Sequence, residues 1–227
     1  MRQPALTTLA PRGKVRAVAL IAHGGSEGSE RPATALDPAA LRMYPFLLDL
    51  HRAGRARGLL TCQLRYRVRG YNSGDPVEDV EWALENIARR HGAVTVCLLG
   101  HSMGARAALR AAGAAHVRGV VALAPWLPQG EPVDQLAGRT VVLAHGTRDR
   151  VTAPAASLAY ALRALQVAER LCRFEVLGSR HAMLDRAPTW QGLARRAVLG
   201  CTGLTAVDGE VERALALPPQ DACRVQI

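Results

Sequence analysis

Short apolar runs rich in valine and leucine alternate along this chain with longer segments in which apolar residues recur at helical spacing. This alternation is typical of a parallel β-sheet with helices on its faces, because a helix returns the chain to the edge where the next parallel strand begins. We predict strands at residues 15–22, 59–67, 93–99, 117–124, 140–144 and 171–177, and helices at residues 38–57, 76–90, 103–115, 153–168, 188–199 and 209–217. The pattern therefore favours an α/β fold with a mostly parallel central sheet flanked by helices.

A chain of 227 residues, of which 49% are hydrophobic and 21% charged, suits one globular domain. We expect that domain to span residues 1–227, with residues 1–14 as an N-terminal extension and residues 218–227 as a loose tail. No apolar run reaches the roughly 18 residues of a membrane span. The first apolar run is interrupted by Arg16, so it reads as a strand rather than a signal peptide. We therefore expect no membrane partner.

The cysteines and the charged residues narrow the function classes further. The five cysteines are widely spaced and include no C-x-x-C pair, so they indicate neither a zinc site nor a disulfide framework, and free thiols favour a cytoplasmic location. The net charge of +10 comes almost entirely from arginine, with Lys14 as the one lysine. The arginines are scattered rather than gathered between aromatic residues, which disfavours nucleic-acid binding. A positive field does, however, raise the local concentration of anionic substrates.

The sequence Gly-His-Ser-Met-Gly at residues 100–104 follows a predicted strand and precedes an alanine-rich helix. A G-x-S-x-G sequence in this context is typical of a nucleophile elbow, because the glycines permit a sharp turn that exposes the serine hydroxyl. We predict Ser102 as the nucleophile and the N–H of Met103 as one oxyanion donor. The second predicted donor is the N–H of Gly25, in the His-Gly-Gly sequence after an earlier strand. The alternatives are an ordinary glycine-rich turn and a flexible loop.

A serine hydroxyl needs a positioned imidazole to accept its proton, and the imidazole needs an acid to orient it. His181 is the predicted base, because it follows the last predicted strand at the carboxyl edge where ligands of open α/β sheets bind. Asp149, in the turn after the preceding strand, is the predicted acid, with Asp134 and Asp185 as alternatives. The other six histidines fit loop-bracing, capping or solvated positions. Surface-loop roles for His181 and Asp149 remain open.

Taken together, these motifs resemble the α/β-hydrolase superfamily of serine hydrolases over residues 15–199, and the order of serine, acid and histidine along the chain is the order found in that family. The nearest likeness is to small dienelactone-hydrolase-like or uncharacterised actinobacterial-type members. The resemblance implies a sheet of six to eight strands and an acyl-enzyme that water resolves, with no cofactor and no metal. Many relatives insert a cap where this chain has only residues 127–139, so we expect no cap domain.

We therefore expect a cytoplasmic carboxylesterase or thioesterase that acts on a small-molecule ester or thioester. An acyltransferase with the same triad, or a non-catalytic ligand-binding protein on a hydrolase fold, are the alternatives. Trp126, Arg69 and Tyr71 are candidate substrate contacts at the carboxyl edge, with Arg69 facing an anionic or polar group. Core packing or a solvated loop would give the same residues. The sequence leaves the oligomeric state open.

Overall fold

An eight-stranded sheet forms the centre of the part of the chain that this computed structural model describes, residues 3–206 and 209–227. The strands are β1 (Ala5–Leu9), β2 (Ala17–Ala22), β3 (Leu59–Arg65), β4 (Thr95–His101), β5 (Val117–Leu123), β6 (Thr140–Gly146), β7 (Arg170–Val176) and β8 (Val225–Gln226). Their order across the sheet is β1-β3-β2-β4-β5-β6-β7-β8, and β1 alone pairs in antiparallel fashion. The predicted α/β fold with six to eight strands is confirmed.

Helices cover both faces of this sheet. Within the described residues they are α1 (Pro38–Gly54), α2 (Asp75–His91), α3 (Met103–Arg110), α4 (Pro154–Ala164), α5 (Ala187–Cys201), α6 (Gly209–Leu215) and α7 (Pro219–Ala222). Leu109 of α3 and Tyr160 of α4 belong to a buried apolar cluster on one face, whereas Leu47 of α1 and Trp190 of α5 belong to the cluster on the other. Because both faces are covered, every residue of β2 is buried. None of the described helices combines the length and the apolar character needed to cross a lipid bilayer.

The connection between β5 and β6 at the carboxyl edge of the sheet has little regular structure. Residues 124–139, which join β5 to β6, contain only a short 3₁₀ turn at Asp134–Leu136, so no cap domain is present there. The long polar loop after β2 is held against the loop after β3, because the N–H of Ser26 donates to the carbonyl of Arg69 at 3.0 Å and the N–H of Tyr71 donates to the carbonyl of Ser26 at 2.9 Å. The edge beside β4, β6 and β7 is therefore available for a site.

The two ends of the chain differ from the expectation of an extension and a loose tail. Residues 1–14 include β1, which pairs with β3 at the sheet edge. Residues 218–227 form α7 and β8 rather than a loose tail. The guanidinium of Arg173, which is only 1% exposed, donates to the carbonyl of Cys223 at 3.0 Å and to Ser157 Oγ at 3.0 Å. A buried guanidinium requires acceptors for its N–H groups, so this contact fastens the tail to the sheet.

Removal of residues 218–227 is expected to lower the free energy of unfolding by about 2–4 kcal/mol, because the buried Arg173 loses an acceptor and β7 loses its outer partner strand β8. Urea unfolding followed by circular dichroism measures the change. Gln226→Ala, at an exposed position of β8, is the control and should change stability by less than about 0.5 kcal/mol. Equal stabilities for the shortened and full-length chains would contradict a structural role for the tail.

Candidate active site

Ser102 occupies the sharp turn between β4 and α3. Its φ of 55° and ψ of −118° lie in a region that residues with a side chain rarely adopt. The N–H of Ser102 donates to the carbonyl of Leu123 at 3.0 Å, and its carbonyl accepts the N–H of Trp126 at 3.2 Å. The end of β5 and the loop after it therefore hold the strained turn, and the serine hydroxyl lies at the carboxyl edge of the sheet.

Gly104 allows α3 to begin very close to the end of β2. A Cβ at this position would overlap the backbone carbonyls of Ala22 and His23, so only glycine fits. The close approach brings the N-terminus of α3 beside the loop that contains Gly24 and Gly25. A Cβ on Gly24 would lie 3.4 Å from the Cβ of Ser102, which shows how near this loop is to the serine.

A continuous chain of hydrogen bonds joins Ser102, His181 and Asp149. Ser102 Oγ lies 3.0 Å from His181 Nε2, and His181 Nδ1 lies 2.8 Å from Asp149 Oδ2. A carboxylate accepts the Nδ1–H, so a neutral imidazole keeps Nε2 free to accept the serine proton. The three side chains that the sequence singled out from separate loops thus meet in one place, with the geometry that activation of a serine requires.

Several donors surround the carboxylate of Asp149, which is itself buried. Its Oδ2 also lies 3.1 Å from His145 Nε2 and 3.0 Å from Thr152 Oγ1. Its Oδ1 accepts the N–H groups of Val151 and Thr152 at 2.8 and 3.0 Å. Burial alone raises the pKa of this carboxyl, but the hydrogen bonds from His145, His181 and the two amides outweigh burial and hold the pKa of Asp149 well below its ordinary value. Asp149 therefore stays ionised beside the imidazole.

Hydrogen bonds between the loop after β6 and the loop after β7 fix the separation of Asp149 from His181. The N–H of Arg148 donates to the carbonyl of Ser179 at 3.0 Å, and the N–H of Gly178 donates to Thr147 Oγ1 at 2.9 Å. The indole N–H of the fully buried Trp190 donates to Ser179 Oγ at 2.9 Å. The loop after β7 is therefore tied both to its neighbour and to α5, which limits the movement of the histidine that it carries.

Gly25 and Met103, the two predicted oxyanion donors, lie side by side next to Ser102. The two residues touch, since a Cβ on Gly25 would overlap the side chain of Met103. Within residues 3–206 and 209–227, neither N–H has a hydrogen-bond acceptor. Met103 also lies at the first turn of α3, where the helix dipole favours negative charge. Both predicted oxyanion donors are thus adjacent to Ser102 and available.

Comparison with known proteins places this arrangement in a family. A family model described as serine aminopeptidase, S33, matches residues 13–141, which is more than half of the chain. This chain belongs to that family of α/β hydrolases. The matched segment contains Gly25, Ser102 and Met103, whereas Asp149 and His181 lie beyond it. A search of curated protein sequences found no match.

Solved structures share the fold of this hydrolase at low sequence identity. An α/β serine hydrolase homologue from Coxiella burnetii is 19% identical with a TM-score of 0.64, and the match covers 86% of this chain and 91% of that one. A lidless α/β serine hydrolase from Xanthomonas campestris is 16% identical with a TM-score of 0.62, covering 95% and 91%. A thermophilic esterase from Thermogutta terrifontis, solved with butyrate bound, is 16% identical with a TM-score of 0.64, covering 91% and 92%. These likenesses agree with a fold that has no lid.

Sequence analysis did not single out two residues that contact the carboxylate of Asp149. Thr152 Oγ1 lies 3.1 Å from His181 Nδ1 as well as beside Asp149. His145 Nε2 lies 3.2 Å from the carbonyl of Thr152 as well as beside Asp149, and because both partners are acceptors, Nε2 carries the hydrogen. The signal that could have found them is proximity within one tight turn, since they are four residues before and three residues after Asp149. In the part of the chain that the structure describes, no three His, Cys, Asp or Glu side chains are grouped so as to hold a metal ion.

His101 contacts both the backbone and the ring of His181. Its Nε2 lies 3.0 Å from the carbonyl oxygen of His181, and the two rings lie 4.8 Å apart between centroids. Complete burial, helped by the nearby His181 ring, lowers the pKa of His101 to about 3. His101 is therefore a neutral imidazole that donates through Nε2 to the backbone of the residue it supports.

The predicted substrate contacts fall into two groups. Trp126 and Tyr71 lie edge to face with ring centroids 5.5 Å apart and line a cavity of about 560 Å³. The guanidinium of Arg106 lies 3.8 Å from the centroid of Tyr71 in a cation–π contact. Arg69 instead donates to Asp37 Oδ1 at 2.6 Å, so its charge is already paired within the loops after β2 and β3.

The low pKa of Asp149 predicts how its contribution to stability varies with pH. A carboxyl whose pKa is lower in the folded protein than in the unfolded chain stabilises the fold above its unfolded pKa of about 3.9, and this stabilisation is lost as the pH falls toward the folded pKa. The excess free energy of unfolding of the wild type over Asp149→Asn should therefore shrink as the pH is lowered from about 5 to about 3. Urea unfolding at stepped pH measures it. If the difference in free energy of unfolding between the two proteins stayed constant, or grew as the pH fell, the low pKa of Asp149 would be disproved.

Proposed function

We propose that this protein is a serine hydrolase that cleaves a small-molecule ester or thioester through an acyl-enzyme on Ser102, with His181 as the base and Asp149 as the orienting acid. The observation that carries the proposal is the unbroken hydrogen-bond chain from Ser102 Oγ through the imidazole to the carboxylate, with the serine held in a strained backbone conformation. Membership of an α/β-hydrolase family supports hydrolytic chemistry.

In the acylation step, Ser102 Oγ bonds to the carbonyl carbon of the substrate while its proton passes to His181 Nε2. The carbonyl oxygen becomes an oxyanion that accepts hydrogen bonds from the N–H groups of Gly25 and Met103. Asp149 stabilises the imidazolium that has formed. The tetrahedral intermediate then breaks its bond to the alcohol or thiol, which takes the proton from Nε2 as it leaves.

Water completes the cycle by attacking the acyl carbon. One of its protons passes to His181 Nε2, and a second tetrahedral intermediate forms in the same oxyanion site. Cleavage of the bond to Ser102 Oγ releases the carboxylic acid, while the proton returns from Nε2 to the serine. No further group is consumed, so ester and water are the only reactants.

An uncapped site supports small substrates. Residues 124–139 supply no helical cover, so a long acyl chain has little protein surface against which to leave water. The structurally similar esterase from Thermogutta terrifontis was solved with butyrate and with propionate, and we extend that acyl size to this chain. We also propose that residues 1–227 act as one catalytic domain in the cytoplasm.

Labelling with a fluorophosphonate probe tests the nucleophile. The probe should add one phosphonyl group at Ser102, located by intact-mass and peptide mass spectrometry, because Ser102 Oγ lies 3.0 Å from the Nε2 atom of His181 that can accept its proton. Ser102→Ala and His181→Ala should both lose the label, while His51→Ala serves as a control that retains it. Labelling of another serine in folded protein would refute the assignment of Ser102.

Single substitutions distinguish Asp149 from Asp185, the alternative candidate for the orienting acid. Asp149→Asn should lower kcat by up to about 10⁴-fold, because the amide no longer fixes the productive imidazole tautomer or stabilises the imidazolium. Asp185 is exposed and, among the described residues, accepts only the N–H of Arg180, at 3.3 Å, so Asp185→Asn should change kcat less than about threefold. Steady-state hydrolysis of p-nitrophenyl butyrate measures both variants. A large loss in Asp185→Asn with normal turnover in Asp149→Asn would reassign the acid.

Acyl-chain dependence tests the open site. Each methylene removed from water contributes about 0.8 kcal/mol, so kcat/KM should rise with chain length only while the cleft can still cover the chain. We expect a maximum between acetyl and hexanoyl in a p-nitrophenyl ester series from acetyl to palmitoyl, with no jump where substrate exceeds its solubility. A maximum at decanoyl or longer, or activation at a lipid interface, would mean that part of the chain acts as a lid.

A further inference from the structure

An open cleft of about 740 Å³ lies beside His181 and is lined by four arginines. We call it the arginine cleft, defined by Arg42, Arg148, Arg150 and Arg180. Its volume is in the range of small-molecule sites. Four guanidinium groups around one opening repel each other unless negative charge is present, so the cleft requires an explanation.

None of the four arginines has an acidic partner among the residues that the structure describes. Elsewhere in the same residues, ion pairs engage Arg67, Arg69, Arg106, Arg110, Arg170, Arg173, Arg195 and Arg196. The one carboxylate lining the cleft is Asp149, whose two oxygens are already occupied by the hydrogen bonds described above. With no carboxylate of the described residues paired to them, the four guanidinium groups of the arginine cleft are available to an anionic ligand.

The four arginines lie directly next to the reacting groups. Arg148 and Arg150 flank Asp149 in the chain, and Arg180 precedes His181. Arg42, on α1, is half-buried and also lines a second cavity, of about 510 Å³, that contains Gly24 and Gly25. Arg42 therefore lies between the loop that carries the base and the loop that carries an oxyanion donor. A group bound by these arginines would be within reach of an ester at Ser102.

The chemistry indicates which part of the substrate would enter the cleft. His181 delivers its proton to the alcohol or thiol that leaves, so the leaving group must lie on the imidazole side of the ester carbonyl. The arginine cleft is on that side, since His181 lines it. The cavity formed by Trp126 and Tyr71 does not include His181. The cleft is thus aligned with the leaving group rather than with the acyl chain.

We propose that the arginine cleft binds a phosphate-bearing leaving group, so that the preferred substrates of this hydrolase are esters or thioesters of phosphorylated alcohols or thiols. The proposal rests on the proposed function. Guanidinium groups match phosphate through paired N–H donors, and four of them suit an anion with more than one negative charge better than a single carboxylate. Exposed ion pairs contribute little individually, so binding depends on several arginines together and most strongly on the half-buried Arg42.

A series of thioesters that differ only in phosphate tests the proposal. Butyryl-pantetheine, butyryl-4′-phosphopantetheine and butyryl-CoA share the acyl group and the thiol arm and carry increasing numbers of phosphates. Wild-type kcat/KM should rise at least tenfold from the first to the last, and the rise should diminish in high salt because exposed charges are screened. Equal kcat/KM for butyryl-4′-phosphopantetheine and butyryl-CoA would indicate that the natural substrate carries its phosphopantetheine on a protein. A higher kcat/KM for butyryl-CoA would indicate that the cleft also binds the nucleotide. 1-Butyrylglycerol and its 3-phosphate supply the same comparison for an oxygen ester.

Substitutions of the four arginines test whether the cleft causes the preference for phosphate-bearing substrates. Arg148→Gln/Arg150→Gln/Arg180→Gln should lower the ratio of kcat/KM for butyryl-CoA over butyryl-pantetheine at least tenfold, through KM rather than kcat. Arg42→Gln should lower this ratio more than any other single substitution, and Arg42→Lys should restore part of it because the charge returns without the planar fork.

The matched control removes three exposed arginines at the opposite edge of the sheet. Arg52 and Arg89 lie near the C-terminal ends of α1 and α2, and Arg118 lies at the start of β5. Arg52→Gln/Arg89→Gln/Arg118→Gln changes the net charge equally and should leave the ratio unchanged within twofold. An equal fall in both triple variants would mean that overall charge, not the cleft, sets the preference, and would overturn the proposal.

Binding to Ser102→Ala separates the cleft from the catalytic assignment. This variant should bind butyryl-CoA at least tenfold more tightly than butyryl-pantetheine in calorimetry. Labelling of wild-type Ser102 with no preference for the phosphorylated member in either series would overturn the cleft and retain the proposed function. A binding preference for the phosphorylated member without labelling of Ser102 would retain the cleft and overturn the proposed function. Equal stimulation of all members by phosphatidylglycerol vesicles would mean that the exposed Val151, which lines the cleft, meets a lipid surface, and would also overturn the proposed phosphate preference.

Discussion

In a parallel sheet every strand ends at the same edge, and the site of this hydrolase depends on that constraint. β4, β6 and β7 leave the sheet within a short distance of each other, so residues far apart in the chain are delivered to one place. β6 and β7 are direct neighbours, and the loops after them bond to each other through Ser179 and Thr147. The separation of Asp149 from His181 is therefore set by the pairing of two strands, not by the loops alone.

The strained serine depends on the same sheet. An unfavourable backbone conformation persists only where its surroundings determine it, and here the neighbouring strand β5 supplies those surroundings. Hydrogen bonds from the end of β5 and from the loop after it hold Ser102 on both sides, while Gly104 lets α3 begin against β2. The core thus stabilises a turn that would not form in isolation.

The sequence predicted that Ser102, Asp149 and His181 lie at the carboxyl edge because each comes shortly after a predicted strand, and parallel strands end at that edge. It did not predict β8, whose two residues are too few to give a periodic signal. Contacts between side chains that are distant in the chain could not be predicted from the sequence either. The pairing of Arg69 with Asp37, and the bond from Arg173 to the tail, depend on which loops meet, and that information is in the fold rather than in any local pattern.

The backbone bond between Ser102 and Trp126 has a consequence for engineering this hydrolase. The peptide group that carries the serine is fastened to the loop whose indole forms a wall of the neighbouring cavity. Insertions or deletions in that loop would displace Ser102 together with the wall. Changes of substrate preference that keep turnover are therefore to be sought by exchanging side chains on the existing backbone, and the loop itself is a poor place for grafting a new segment.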